Sequence, residues 1–140
     1  MVIAVVIAVL VFGAAFVVKR RRRYEAPTQR RWAVPDQLDR NDFVSPDMPW
    51  LVAVFTSATC ASCAEAVDKA GPLAGPTVAV QEIALTENRD LHRRYNIEAV
   101  PTTVVADGDG VVRASYVGPP PAAELWAVVG QVRESSEGSG

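Results

Sequence analysis

The segment that most constrains this chain is Trp50-Leu51-Val52-Ala53-Val54-Phe55-Thr56, an apolar run without a charge that ends shortly before a cysteine. It is rich in aromatic and β-branched side chains and shows no alternation with polar residues. Such a run suits a strand buried on both faces, in the middle of a parallel or mixed sheet. Both faces of that sheet must then be covered, and helices on either side are the usual cover.

The segments that follow supply them. Ala61 to about Ala70 lacks Pro and Gly, and Cys63, Ala66, Val67 and Ala70 recur at helical spacing. Gly71-Pro72 stops that helix. Thr77 to Leu85 alternates as a strand does, with Val78, Val80 and Ile83 apolar. Thr86 is the expected N-cap of a helix reaching about Tyr95, with Leu91 and Tyr95 on its inner face. Thr102 to Ala106 and Val111 to Val117 flank the turn signal Asp107-Gly108-Asp109-Gly110 and predict a β-hairpin. After Gly118 and Pro119 to Pro121, Ala122 to about Arg133 is amphipathic through Leu125, Val129 and Val132. Asp39 to Phe43 is a candidate edge strand. A β-α-β half followed by a β-β-α half predicts an α/β sandwich, one mixed sheet between helices.

Ahead of this domain, Val2 to Val18 carries no charged or strongly polar side chain. As a helix it would rise roughly 25 Å, near the short limit for a bilayer span. A secretory signal peptide is the alternative, but no basic residue precedes the run and its length exceeds the usual signal core. Lys19, Arg20, Arg21, Arg22 and Arg23 follow directly. Basic residues are retained on the cytoplasmic side. The expected topology therefore places the amino terminus outside and the following domain in the cytoplasm, a single-pass membrane protein.

The chain after Arg23 holds 9 of the 14 basic residues and all 16 acidic ones. Its acidity argues against nucleic acid as a partner. The expected organisation is an anchor over 2–18, a basic stop and Pro-containing linker over 19–37, a domain over 38–134 and a disordered Ser/Gly-rich tail over 135–140. Trp32 in the linker is a candidate interfacial anchor, unless the linker folds back on the domain.

The chain has two cysteines, Cys60 and Cys63. Two cysteines three apart could form half of a zinc site, which needs about four ligands. The rest of the chain offers one His, His92, in a polar segment read as solvated. No metal and no cofactor are expected. Position gives the pair its meaning: Cys60 falls where the buried strand ends and a helix begins. Unpaired N–H groups and the dipole there favour negative charge, and the thiolate is the attacking form. Cys63, nearly one turn on, can reach Cys60 and is shielded inside the helix. The spacing supports a two-step exchange in which Cys60 attacks a disulfide and Cys63 resolves the mixed disulfide. The bland alternative is an inert buried pair.

At this point the chain resembles the thioredoxin family over about Leu38 to Glu134. The apolar strand running into Cys60-Ala61-Ser62-Cys63 carries the likeness. So do Ala99-Val100-Pro101-Thr102, similar to the family's cis-proline segment before the hairpin, and Gly118 after the last strand. The resemblance implies a thioredoxin-like three-layer sandwich with a mixed β-sheet between helices, which the apolar run Val2–Val18 would precede as one transmembrane helix. It implies a cis Val100–Pro101 bond beside the sulfurs, with Val100 and Pro101 binding an extended substrate segment; a trans proline starting an edge strand is the alternative. The implied partners are protein disulfide or dithiol substrates and a thiol–disulfide electron donor. The chain departs from the family at Thr59, where Trp is usual, and at Ala61-Ser62, where Gly-Pro is usual. Val54 stands where a buried Asp usually accepts the resolving cysteine's proton. Phe43 to Trp50 is too short for the usual first long helix.

The expected function is a membrane-anchored thiol–disulfide oxidoreductase that reduces protein disulfides. Two other readings stay open: exchange on the extracytoplasmic side, as in cytochrome maturation, and a redox-inert binding module with vestigial cysteines.

Overall fold

The structure is a computed structural model that describes Met1 and residues 32–138. The apolar run Val2–Val18, the basic cluster and most of the linker lie outside the described residues. No helix among the described residues is long and apolar enough to cross a membrane.

The sheet has four strands, β1 (Trp50–Thr56), β2 (Val78–Ala84), β3 (Thr102–Asp107) and β4 (Val112–Val117), in the order β2-β1-β3-β4. β1 is parallel to β2 and antiparallel to β3, and β3 and β4 form the hairpin. Every residue of β1 is buried, as a central strand requires. Its side chains alternate between two cores. Leu51, Ala53 and Phe55 join Leu38, Phe43, Ile83 and Tyr95 on one face. Trp50, Val52 and Val54 join Ala66, Ala70, Leu125 and Val129 on the other. Each large apolar side chain buried this way contributes roughly 1.5–3 kcal/mol.

Three helices cover the sheet: α1 (Cys63–Ala70), α2 (Arg89–Arg94) and α3 (Ala122–Glu137). α1 and α3 supply Ala66, Ala70, Leu125 and Val129 to one core, and Tyr95, which closes α2, lies in the other. Sheet between helices gives the expected α/β sandwich. The small Ala66 and Ala70 let α1 lie close on β1.

Four expectations are corrected. Asp39 to Phe43 is not a strand: Arg40–Asp42 forms a 3-10 turn capped by the Asp39 side chain, which accepts from the Asn41 N–H at 3.0 Å. Leu38, Arg40 and Phe43 are all buried, a spacing that strand alternation cannot satisfy. Thr86 is not the cap of the second helix. The N–H groups of Glu87 and Asn88 both donate to the Ala84 carbonyl, making a turn, and helical bonding starts at Asn88, whose carbonyl accepts from His92. His92 is not solvated but buried; its Nε2 lies 2.7 Å from the Ile83 carbonyl oxygen and its ring stands edge-on to Phe55. The polar residues around it in sequence lie on the other side of the helix. Finally, α3 continues through Ser135 to Glu137, part of the expected tail, with the Ser135 hydroxyl donating to the Gln131 carbonyl at 2.9 Å.

The end of the linker folds back on the hairpin. Gln37 bridges to Val111, and the Leu38 N–H donates to the Gly110 carbonyl at 2.8 Å. Gly110 has φ +80, and a Cβ there would collide with the Leu38 backbone. The hairpin turn closes on the Asp107 carboxylate, which accepts from the N–H groups of Asp109 and Val111 and from Arg113.

Tyr95 links the 3-10 turn to α2. Its hydroxyl donates to Asp42 and accepts the Asp39 N–H at 3.0 Å. Burial, then the bond to Asp42, pushes its pKa up from the ordinary 10.0 to about 12. Between those values the folded chain keeps a proton that the unfolded chain has lost, so stability falls as pH rises through this window. A plot of the urea midpoint between about pH 9 and 12 should therefore slope down more steeply for wild type than for Tyr95→Phe. Equal slopes would show that Tyr95 is not the group responsible.

Candidate active site

β1 ends at Thr56, and the Ser57–Thr59 turn delivers Cys60, whose N–H donates to the Ser57 carbonyl at 3.3 Å. Cys60 is half-buried and Cys63 is 4% exposed. The two sulfurs are joined in a disulfide, with Cα atoms 5.5 Å apart. Cys63 is the first residue of α1 and Ser62 its N-cap, so Cys60 stands just outside the helix mouth. The Ser62 side chain makes no capping hydrogen bond; its hydroxyl oxygen lies 3.9 Å from the Cys60 sulfur. An O–H there can donate to an anionic sulfur, alongside the positive end of α1.

The Val100–Pro101 peptide bond is cis. Pro101 is buried and Val100 half-buried. Thr102 pairs with Phe55, which puts Pro101 just before the start of β3, beside the end of β1, where the chain turns towards Cys60. The loop is held at both sides. The Pro101 carbonyl accepts the Gly118 N–H at 2.8 Å, and the Thr102 hydroxyl donates to the Ala99 carbonyl at 2.7 Å. Sequence-distant Cys60, Cys63, Val100 and Pro101 thus gather at one end of the sheet.

Val54 is buried among apolar side chains, so its position supplies no proton acceptor. Two polar features of the site were not read from the sequence. One is Ser62, whose identity as an N-cap depends on where the helix starts. The other is a pair: Thr56, 2% exposed, donates its hydroxyl hydrogen to Glu82 Oε1 at 2.7 Å. Only the β1–β2 register shows that these residues are neighbours. Among the described residues, no group of three or more His, Cys, Asp or Glu could hold a metal ion.

No protein-family model matches the chain, and no curated protein does. Solved structures do. A mutant thioredoxin from Halobacterium salinarum is 28% identical over 71% of this chain and 87% of its own, with a TM-score of 0.57. Chloroplastic thioredoxin z is 27% identical over 63% of this chain and 80% of its own, with a TM-score of 0.55. Mitochondrial thioredoxin 3 from Saccharomyces cerevisiae shares the fold at 24% identity, covering 59% of this chain and 79% of its own, with a TM-score of 0.50. The described domain therefore has a thioredoxin-like α/β fold, a mixed four-stranded sheet with helices, and carries a redox-type Cys-x-x-Cys pair at the end of its central strand.

Proposed function

We propose that this protein is a membrane-anchored thiol–disulfide oxidoreductase that reduces protein disulfides through Cys60 and Cys63. The observation that carries the reading is the asymmetry of the joined pair, one sulfur half-exposed outside a helix mouth and the other buried at its first residue.

In the reduced enzyme, Cys60 is the nucleophile. The helix terminus and the Ser62 hydroxyl both favour its thiolate. The thiolate attacks one sulfur of a substrate disulfide, forming a mixed disulfide and releasing the substrate's other sulfur as a thiolate. Cys63 then attacks the Cys60 sulfur, and the second substrate sulfur leaves. The substrate gains two electrons as a dithiol, and the enzyme is left with the Cys60–Cys63 disulfide. A dithiol electron donor reverses these steps on the enzyme. Val100 and Pro101 offer backbone to an extended substrate segment beside the sulfurs. Residues 2–18 hold the domain at the membrane, with the basic cluster keeping it on the cytoplasmic side.

The test uses the full chain in detergent micelles with a dithiol donor and a model protein disulfide. Catalytic turnover of the disulfide above the donor-only rate is expected. Turnover equal to the donor alone would overturn the reading. A reporter fused at Gly140 checks the topology separately, with cytoplasmic signal expected and extracytoplasmic signal the contrary result.

A further inference from the structure

The redox pair sits in an uncharged surface. No residue from Thr56 to Ala64 carries a charge, and neither does any from Ala99 to Thr102 or from Val117 to Ala123. Ala58, Thr59 and Ala61 are exposed around half-buried Cys60. The charges that an approaching partner meets are those set just outside this rim.

Two of them are placed by the pairing that builds the site. Ala84 is the register partner of Thr56, at the end of β1. The Glu87 N–H donates to the Ala84 carbonyl at 3.1 Å, so a turn holds Glu87 at that end of the sheet. The bond from the Cys60 N–H to the Ser57 carbonyl keeps Cys60 at the same end. Glu98 stands three residues before Pro101, a stretch of chain that spans at most about 11 Å. Both carboxylates are exposed, and neither forms an ion pair among the described residues. Glu82, exposed near the end of β2, adds a third negative charge.

The cations of the domain do not balance them. Arg93 pairs with Asp90, Arg94 with Asp39 and Asp42, and Arg113 with Asp107. Lys69 bonds to Glu65 and to the Pro120 carbonyl. Buried Arg40 donates to carbonyls at the other end of the sheet, and Arg133 stands towards the C-terminal end of α3. Arg89, which opens α2, is the one cation at this end to set against the three carboxylates. Exposed charges are usually just solvated, but these flank a bimolecular step. A disulfide must come within covalent reach of Cys60, and its flanking residues then come within about a Debye length of the rim, roughly 10 Å at 0.1 M salt.

We propose that Glu87 and Glu98 select the substrate, directing the chain to protein disulfides flanked by Lys or Arg, a preference that rests on the oxidoreductase reading above. Opposite charge raises the rate of productive encounter, and like charge rejects acidic segments. The two carboxylates act in recognition and take no part in the thiol exchange.

The test is a single turnover of the pre-reduced full chain in detergent micelles. Two disulfide-bonded peptides of the same core serve as substrates, one with Lys and one with Glu on each side of the cysteines. Each second-order rate is divided by that of the same peptide with a small neutral dithiol, which removes intrinsic reactivity. At low salt the Lys peptide should be preferred by roughly 10-fold, and the preference should shrink to less than about 2-fold near 0.5 M salt. The double variant Glu87→Gln, Glu98→Gln should lose most of it, and Glu87→Lys with Glu98→Lys should reverse it. Asp109→Asn, in the hairpin turn at the opposite end of the sheet, should leave it unchanged. A small uncharged disulfide should react at the wild-type rate in every variant, which separates recognition from chemistry. Equal normalised rates for the two peptides, or a preference kept by the double Gln variant, would overturn this selectivity while leaving the oxidoreductase reading intact. A reduced wild-type chain that reacts with neither the peptides nor the uncharged disulfide would sink both.

Discussion

Replacing Cys60 with serine is expected to lower disulfide reduction by at least about a thousandfold, because a neutral hydroxyl is a far weaker nucleophile than a thiolate. Replacing Cys63 with serine is expected to give a different defect. Cys60 remains outside the helix mouth, half-exposed and beside the Ser62 hydroxyl, so attack on the substrate proceeds. Without the buried second sulfur the reaction stalls at the mixed disulfide. Intact-mass measurement after incubation with a disulfide substrate should show a stable covalent adduct on Cys63→Ser and none on Cys60→Ser. The opposite pattern would exchange the two roles, and adducts on neither would indicate an inert pair.

The second large effect lies at the other end of the sheet and concerns stability alone. Arg40 is 6% exposed. Its guanidinium donates to the carbonyls of Met48 at 2.8 Å, Asp107 at 2.9 Å and Ser45 at 3.1 Å. Burial lowers its pKa from the ordinary value, while Asp107 and Asp47 act the other way. One side chain thus ties the loop before β1 to the end of β3. Arg40→Ala removes the donors to all three carbonyls, and leaving buried acceptors unsatisfied costs about 1–3 kcal/mol each. Some will find water, so a loss of about 3 kcal/mol is expected, or roughly 12–24 °C in Tm for a domain this size. Arg40→Lys should recover only part of it, because an ammonium lacks the planar fork that spans several acceptors. Asp107 pairs with Trp50 at the start of β1, whereas Cys60 follows its end. The rate of Cys60 attack in the folded Arg40→Ala protein should therefore match wild type. A Tm drop of less than about 5 °C would show the guanidinium network to be dispensable.

The sequence carried a good part of this architecture. Trp50 to Thr56 reads as a doubly buried strand because its burial leaves no room for polar alternation. The hairpin reads from Asp107 to Gly110 because the turn chemistry is local: an Asp side chain accepting nearby N–H groups, and a glycine at positive φ. α1 reads from Cys63, Ala66 and Ala70, three buried positions at helical spacing. The misread segments are those whose conformation is set by distant partners. Arg40 is buried because carbonyls from Met48 and Asp107 receive it. His92 is buried because Ile83 and Phe55 lie opposite. Neither partner can be inferred from neighbouring residues.

The same division runs through the candidate site. Residue order alone determined that two cysteines stand nearly one turn apart after a buried strand, because helical rise and strand burial are written in local periodicity. Tertiary structure decided what surrounds them. Pro101 comes to the sulfurs' end of the sheet through antiparallel pairing of β3 with β1, and Glu82 comes to Thr56 through parallel pairing of β2 with β1. Strand register is a collective property of two packed cores, and shifting it by one residue would send every side chain to the opposite face.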